Sequence, residues 1–391
     1  MVTMRIGIDG ASWTNARGYG RFTRELVGAL SREDCRNSYT LFLDASIPRA
    51  ALPPNVHCIP VSTRVIPTYA ASADGYRSPQ DLFAFCRAIA SARLDVIFFP
   101  TVYTFVPVLR PRRIVVGVHD VIPERFPQYV FKNGRARRFW MLKTQLALRQ
   151  ATRILTVSEH ARRGLEQFFY QVRKKIRVTS EAPAPAFRVI PDRALIRGAF
   201  ERVGLTLHTR ALMYWGGITP HKNVQMLVRV FGELIQDERF ADVKLLIVGD
   251  YANEVFYSEL PALRAQVEAT CRNSVIFTGY VSDETAALLL NGVQACVLPS
   301  FEEGFGLPGI EAAACGAPLI ATQASALPEV LGDAAIYIDP TQPTQLRAAL
   351  ERVLEDAALR HTLRTRGSER AQRLTWDSAA RRVMQVFEEL A

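Results

Sequence analysis

The stretch ACVLPSFEEGFGLPGIEAAACGAPLIA, residues 295–321, decides the fold. Ala295–Leu298 is an unbroken apolar run too short for a helix, and Leu319–Ala321 is another. Between them a helix is expected from Leu307 and Pro308, because proline suits a first turn. Strand, loop, helix, strand is the repeating unit of a parallel sheet, whose strands are buried on both faces and read as continuous apolar runs. Ligands of such sheets bind beyond the carboxyl ends of the strands. The loop at 299–306 is therefore the first place to look for chemistry. Gly304 and Gly306 let backbone approach a ligand where a Cβ would block it. The amides around Phe305, Gly306 and Leu307 open a helix, and a helix N-terminus suits a phosphate. Glu303 and Glu311 put two carboxylates at different depths, one to reach the group beyond the phosphates and one to accept from a ribose diol. A capping carboxylate and a surface glutamate are the plainer alternative.

The same pattern runs outward in both directions. Strands are expected at Arg5–Ile8, Thr40–Leu43, Val56–Ile59, Val96–Phe99, Ile114–Val118 and Ile154–Val157. A second set is expected at Leu212–Trp215, Lys244–Val248, Val275–Thr278, Ala295–Leu298, Leu319–Ala321 and Ile336–Ile338. Helical stretches such as Tyr19–Leu30 and Asn223–Gln236 separate them. The expected fold is α/β, with two Rossmann-like, doubly wound parallel-sheet domains. The Pro- and Ala-rich segment SEAPAPAFRVIPD marks the boundary. It gives domains at 1–190 and 191–375, then a helix at 376–391 with Asp377 as its cap.

Composition narrows the classes. The 391 residues are 49% hydrophobic and 22% charged, which supports a large core and excludes disorder. Residues 1–200 hold 31 basic and 14 acidic side chains, the remainder 17 and 24, so the net charge of +10 is a basic half joined to an acidic one. Six scattered cysteines show no zinc, redox or disulfide spacing. No signal peptide or spanning segment is read, and a cytoplasmic setting is the expectation, with peripheral contact at the inner face of the plasma membrane.

The stretch from Gly279 to Pro340 resembles the donor-binding core of the retaining glycosyltransferases of family 4, whose signature is the Glu–seven–Glu pair. WGGITPHKNVQMLV, VGVHDVIPERFP and RGYGRFTREL also match, so the likeness covers nearly the whole chain. It implies the GT-B fold, two domains facing a central cleft with the closing helix crossing back onto the first. It also implies residue roles. Glu311 would hold the donor ribose and Glu303 the transferred sugar. The amides near Phe305, Gly306 and Leu307 would bind diphosphate, with Gly304 beside them. Lys222 would neutralise the leaving diphosphate, and His119 would touch the donor sugar with Asp120 as support. Tyr280, Gly217 and His221 fall among the donor contacts. The chain departs from the pattern at Gly217, where many members carry arginine, and His221 stands where related subgroups often have arginine. Gly18 and Gly20 precede a helix and belong with the diphosphate or acceptor. Arg17 and Arg21 flank them and suit an anionic acceptor.

The motifs HDVIP, RGYGR and HKN look most like mannosyltransferases using GDP-mannose, with no metal and no cofactor. The implied acceptor is a lipid-linked oligosaccharide of bacterial lipopolysaccharide or exopolysaccharide synthesis. UDP-hexose and dTDP-rhamnose donors stay open, as do an epimerase or phosphorylase of the same fold and a silent subunit of a polysaccharide complex. The run RFPQYVFKNGRARRFWMLKTQLALR mixes basic and large apolar residues. It reads either as a helix meeting an anionic membrane or as a core-facing helix with a solvated basic face. No nucleic-acid-binding module accompanies the charge.

Overall fold

The computed structural model describes residues 3–15, 18–48, 52–62, 78–249 and 259–391. The chain forms two compact units, Met1–Glu181 with Thr375–Ala391, and Ala182–Leu374.

Unit 1 holds seven strands: β1 (Arg5–Asp9), β2 (Ser38–Asp44), β3 (Val56–Val61), β4 (Val96–Phe99), β5 (Arg113–Gly117), β6 (Arg153–Thr156) and β7 (Ile176–Val178). Their order is β3-β2-β1-β4-β5-β6-β7, and every pairing is parallel. All four residues of β4, Val-Ile-Phe-Phe, are buried, as a central strand covered on both faces requires. β7 is not among the strands read from sequence. It is three residues long with Arg177 at its centre and offers no apolar run to recognise.

Unit 2 holds β8 (Ala211–Trp215), β9 (Lys244–Val248), β10 (Val275–Gly279), β11 (Ala295–Leu298), β12 (Leu319–Thr322) and β13 (Ala335–Ile338). They form a parallel sheet in the order β10-β9-β8-β11-β12-β13. Its core packs Tyr214, Leu227, Phe231, Ile247, Val297 and Leu350.

The chain passes into unit 2 at Glu181, ahead of the Ile190 boundary read from sequence. The Pro- and Ala-rich segment already packs there. Ile190 N donates to Asn291 Oδ1 at 2.9 Å, Asn291 Nδ2 donates to the Arg188 carbonyl at 3.0 Å, and the Phe187 ring lies 6.2 Å from that of Trp215.

The closing helix, Trp376–Glu388, returns to unit 1. Trp376 packs edge-on to Phe22 and Phe387 to Phe98, both with ring centroids 5.9 Å apart. Thr375, not Asp377, caps it: Thr375 has extended backbone, and its hydroxyl accepts from Ser378 N at 3.1 Å. Asp377 lies inside the first turn and pairs with Arg32 at 2.9 Å.

Candidate functional site

The strand order of unit 2 reverses between β8 and β11, so the loops after those strands leave in opposite directions and open a crevice at the carboxyl edge. Residues on its two sides are tied together. Phe301 N donates to the His221 carbonyl at 2.8 Å. Asn223 adopts left-handed backbone at φ 56°, and its Nδ2 donates to the carbonyls of Pro299 at 3.1 Å and Pro340 at 2.9 Å. That clamp holds the short turn Pro220–Lys222 in place. Lys222 Nζ then donates to both carboxylate oxygens of Glu303, at 2.7 and 2.8 Å. Behind Glu303, the buried Ser300 donates its hydroxyl to Oε1 at 2.8 Å.

Glu311 sits in the helix Leu307–Ala314 and is 0% exposed. The indole Nε1 of Trp215, the last residue of β8, donates to its Oε2 at 2.9 Å. Glu303 is 7% exposed and Glu311 is fully enclosed, so the two differ in burial. The deeper one already holds a protein partner. No side chain caps the start of this helix, where Gly306 stands at φ 90°. A Cβ on Gly306 would lie 2.4 Å from Leu327 Cδ2, so both conformation and space require glycine. Phe305 and Leu307 are buried, and Gly304 is half-buried.

Gly217 stands where many family members carry arginine, and Lys222 supplies the cation of this loop. Burial, then the neighbouring Lys222 charge, pushes the His221 imidazole well below its ordinary value. His221 is therefore neutral at neutral pH. Gly217 accepts from the Tyr214 hydroxyl at 2.6 Å through its carbonyl. Tyr280 is 66% exposed, just past the end of β10. The sequence reading passed over Gly216, Gly249 and Gly279, which stand at the ends of β8, β9 and β10 with φ of 146°, 152° and 74°. Gly249 passes so close to Gly216 that a Cβ would lie 2.1 Å from the Gly216 carbonyl oxygen. Their signal was a glycine at the carboxyl end of each apolar run.

In unit 1, His119 follows β5 and is buried. Its Nε2 donates to the Pro100 carbonyl at 2.9 Å, since a carbonyl only accepts, and its Nδ1 lies 3.0 Å from Glu181 Oε1. Burial alone would lower its pKa, but the Glu181 bond and charge, with smaller help from the Pro100 carbonyl and Asp120, raise it above the ordinary value. The ring also packs edge-on to Phe22 at 4.4 Å and Tyr19 at 5.1 Å. Asp120 does not hold the imidazole. It accepts from the Tyr19 hydroxyl at 2.8 Å and from Ile122 N at 3.0 Å. Glu181 takes the orienting role, and the sequence reading missed it because it follows the missed strand β7.

Gly18 opens the helix Gly18–Glu33 and is exposed. Gly20 is needed by its own loop: a Cβ there would lie 1.9 Å from the Asn15 carbonyl oxygen. Arg21 is buried, not a surface flank. Arg17 lies outside the described residues. Among the described residues no group of three His, Cys, Asp or Glu side chains is placed to hold a metal ion, and no helix is long and apolar enough to cross a membrane.

Two family models match the chain, glycosyltransferase family 4 over residues 16–181 and glycosyl transferases group 1 over residues 209–356. The chain is a glycosyltransferase, with a family 4 domain followed by a group 1 domain. The O-antigen chain mannosyltransferase B of Escherichia coli is 29% identical over 71% of each chain. The serotype-specific mannosyltransferase WbdA of Escherichia coli is 25% identical over 72% of this chain, which spans about a third of that relative's length. Among solved structures, sucrose-phosphate synthase from Thermosynechococcus elongatus superposes with a TM-score of 0.77 at 20% identity over 99% of both chains. WaaG, a glycosyltransferase involved in lipopolysaccharide biosynthesis, gives 0.74 at 14% identity over 97% of this chain and 99% of its own. These likenesses carry the fold, two Rossmann-like domains of the GT-B class. In this glycosyltransferase, the crevice between β8 and β11 lies in the group 1 domain, where the Glu303–Glu311 pair meets Lys222.

Proposed function

We propose that this glycosyltransferase moves mannose from GDP-mannose to a lipid-linked oligosaccharide, with retained anomeric configuration and without a metal ion, in building a bacterial surface polysaccharide. The observation that carries the reading is the Lys222–Glu303 pair at the switch point of unit 2, in a chain whose curated relatives include named mannosyltransferases. As the bond from the anomeric carbon to the diphosphate lengthens, negative charge grows on the leaving oxygen and the sugar takes on oxocarbenium character. The Lys222 ammonium and the amides leading into the helix at Phe305, Gly306 and Leu307 meet that charge, which lowers the barrier. Glu303 orients the sugar hydroxyls. The acceptor hydroxyl attacks on the face the diphosphate leaves, and its proton passes to the departing diphosphate oxygen. Glu311, bonded to the indole of Trp215, takes the ribose contact.

The acceptor belongs with unit 1, whose helix Gly134–Gln150 carries five Lys and Arg and no acidic residue. Phe139, Leu142 and Leu146 stand 51%, 66% and 38% exposed along it. Apolar side chains beside basic ones suit the interface of an anionic bilayer.

A thermal-shift panel tests the donor, since a ligand that binds only the native state raises the melting temperature. GDP-mannose should give the largest shift among GDP-mannose, UDP-glucose and dTDP-rhamnose. A larger shift from another member moves the donor to that nucleotide sugar. No shift from any of them contradicts the reading.

A further inference from the structure

Lys222 and Glu303 are assigned separate duties toward a nucleotide sugar, yet the structure commits them to each other. Both carboxylate oxygens lie within 2.8 Å of the Lys222 ammonium. The two residues come from different loops, one after β8 and one after β11, so the pair bridges the crevice that the donor must enter. An ammonium has three N–H donors, and the carboxylate engages it through both of its oxygens. A diphosphate arriving in the crevice meets a cation already neutralised and a carboxylate that repels it.

The anchoring of Glu303 is lopsided in a way that suits an exchange. Oε1 has two partners, Lys222 and the hydroxyl of the buried Ser300 at 2.8 Å. If Lys222 turns to a diphosphate, Ser300 still holds Glu303 through Oε1. Oε2 then loses its ammonium partner and becomes an acceptor for a sugar hydroxyl. Lys222 itself rides on a turn fixed by the Asn223 clamp, so the exchange needs rotation of one lysine side chain and no backbone movement.

We propose that the Lys222–Glu303 pair is a latch: Glu303 competes with the diphosphate for Lys222, and diphosphate binding breaks the pair and frees Glu303 for the transferred sugar. This rests on the assignment of the crevice to a nucleotide-diphospho-sugar. The latch also works in reverse. Once the sugar has left with the acceptor, Glu303 has lost its hydroxyl partners and competes again for Lys222, which helps expel the nucleoside diphosphate.

The test is a set of affinities for GDP and UDP, measured by titration calorimetry on the full chain. If the latch leaves about a tenth of the molecules binding-competent, its removal tightens affinity about tenfold, since apparent affinity scales with that fraction. Glu303→Gln, which weakens the pair at constant shape, should therefore bind the nucleoside diphosphate about tenfold more tightly than wild type while transferring sugar more slowly. Glu303→Asp keeps the charge but draws it back from Lys222, and it should also tighten binding. Lys222→Met should weaken binding, and adding Glu303→Gln to it should restore nothing. Three results overturn the latch: unchanged or weaker binding by Glu303→Gln, an equal gain with and without Lys222, or a gain confined to Gln and absent in Asp. The last two would assign the effect to plain charge repulsion. Absence of GDP and UDP binding in wild type and in every variant would instead sink the donor assignment on which the latch rests.

Discussion

At the scale of single residues, a half-buried carboxyl in unit 1 sets a pH dependence. Glu124 accepts from the indole Nε1 of Trp140 at 2.8 Å. Burial pushes its carboxyl up to about 7; the Trp140 bond works against this and the Asp120 charge adds to it. The unfolded chain releases that proton near the ordinary value of 4.5, whereas the folded chain keeps it until about pH 7. Folding therefore binds a proton in this window, and stability falls as pH rises from about 4.5 to about 7. Glu124→Gln keeps an acceptor for Trp140 and removes the titration. It should raise the melting temperature at pH 8 by several degrees, and by much less at pH 5. An equal shift at both pH values would show that Glu124 does not titrate in this window. Residue by residue, the site was legible where strand context singled a residue out. Glu303, Glu311 and Lys222 follow strands in recognisable spacing. Glu181, Ser300 and Trp215 also stand at strand ends, but their roles come from tertiary contact with His119, Glu303 and Glu311, which spacing does not show. The charge of His221 was likewise out of reach, since burial and not residue type decides it.

At the scale of elements, the closing helix is part of unit 1's core. Trp376, Val383 and Phe387 are buried, and Thr179 Oγ1 donates to the Ala379 carbonyl at 3.3 Å. Its end is tied by Glu389, which meets Arg177 and Arg153 at 2.8 Å. Those two guanidinium groups, against slight desolvation, hold the Glu389 carboxyl down at about 2. The pairing therefore stabilises the helix above the ordinary value of 4.5 and is lost as pH falls toward 2. Because the pair is largely exposed, that contribution is small beside the apolar burial. Ending the chain at Leu374 should lower the melting temperature by well over ten degrees or leave the protein insoluble. A truncated chain that melts like wild type would contradict the packing. The helix Gly134–Gln150 makes a separate prediction. Sedimentation with phosphatidylglycerol vesicles should pull the protein down, and Phe139→Ser with Leu142→Ser should abolish this while leaving the melting temperature in place. Equal binding to neutral phosphatidylcholine vesicles would refute the electrostatic part. Twelve of the strands were legible as continuous apolar runs, and β7 was not, because an edge strand pairing through three residues needs no such run. The cap at Thr375 was missed because Asp377 two residues later has the same chemistry.

At the scale of the whole molecule, the charge split follows the two units. Unit 1 carries 30 basic and 16 acidic residues, unit 2 carries 18 and 22. The reading of a basic half and an acidic half survives once the closing helix is counted with the first and residues 182–200 with the second. A net positive unit is suited to a lipid diphosphate or an anionic bilayer, and salt should weaken that contact. In the net negative unit, the proposed diphosphate site would depend on local devices, Lys222 and a helix start, against the surrounding charge. The central claim is that the crevice holding Lys222 and Glu303 performs sugar transfer from a nucleotide diphosphate. The most direct measurement is release of GDP from GDP-mannose in the presence of a lipid-linked oligosaccharide primer, for wild type and Glu303→Ala side by side. The account predicts acceptor-dependent release with an α-linked mannosyl product from wild type, and a loss of about a hundredfold or more in the variant, the scale of removing one transition-state contact. Full activity in Glu303→Ala, or release of free mannose or mannose phosphate in place of a transferred sugar, would contradict it.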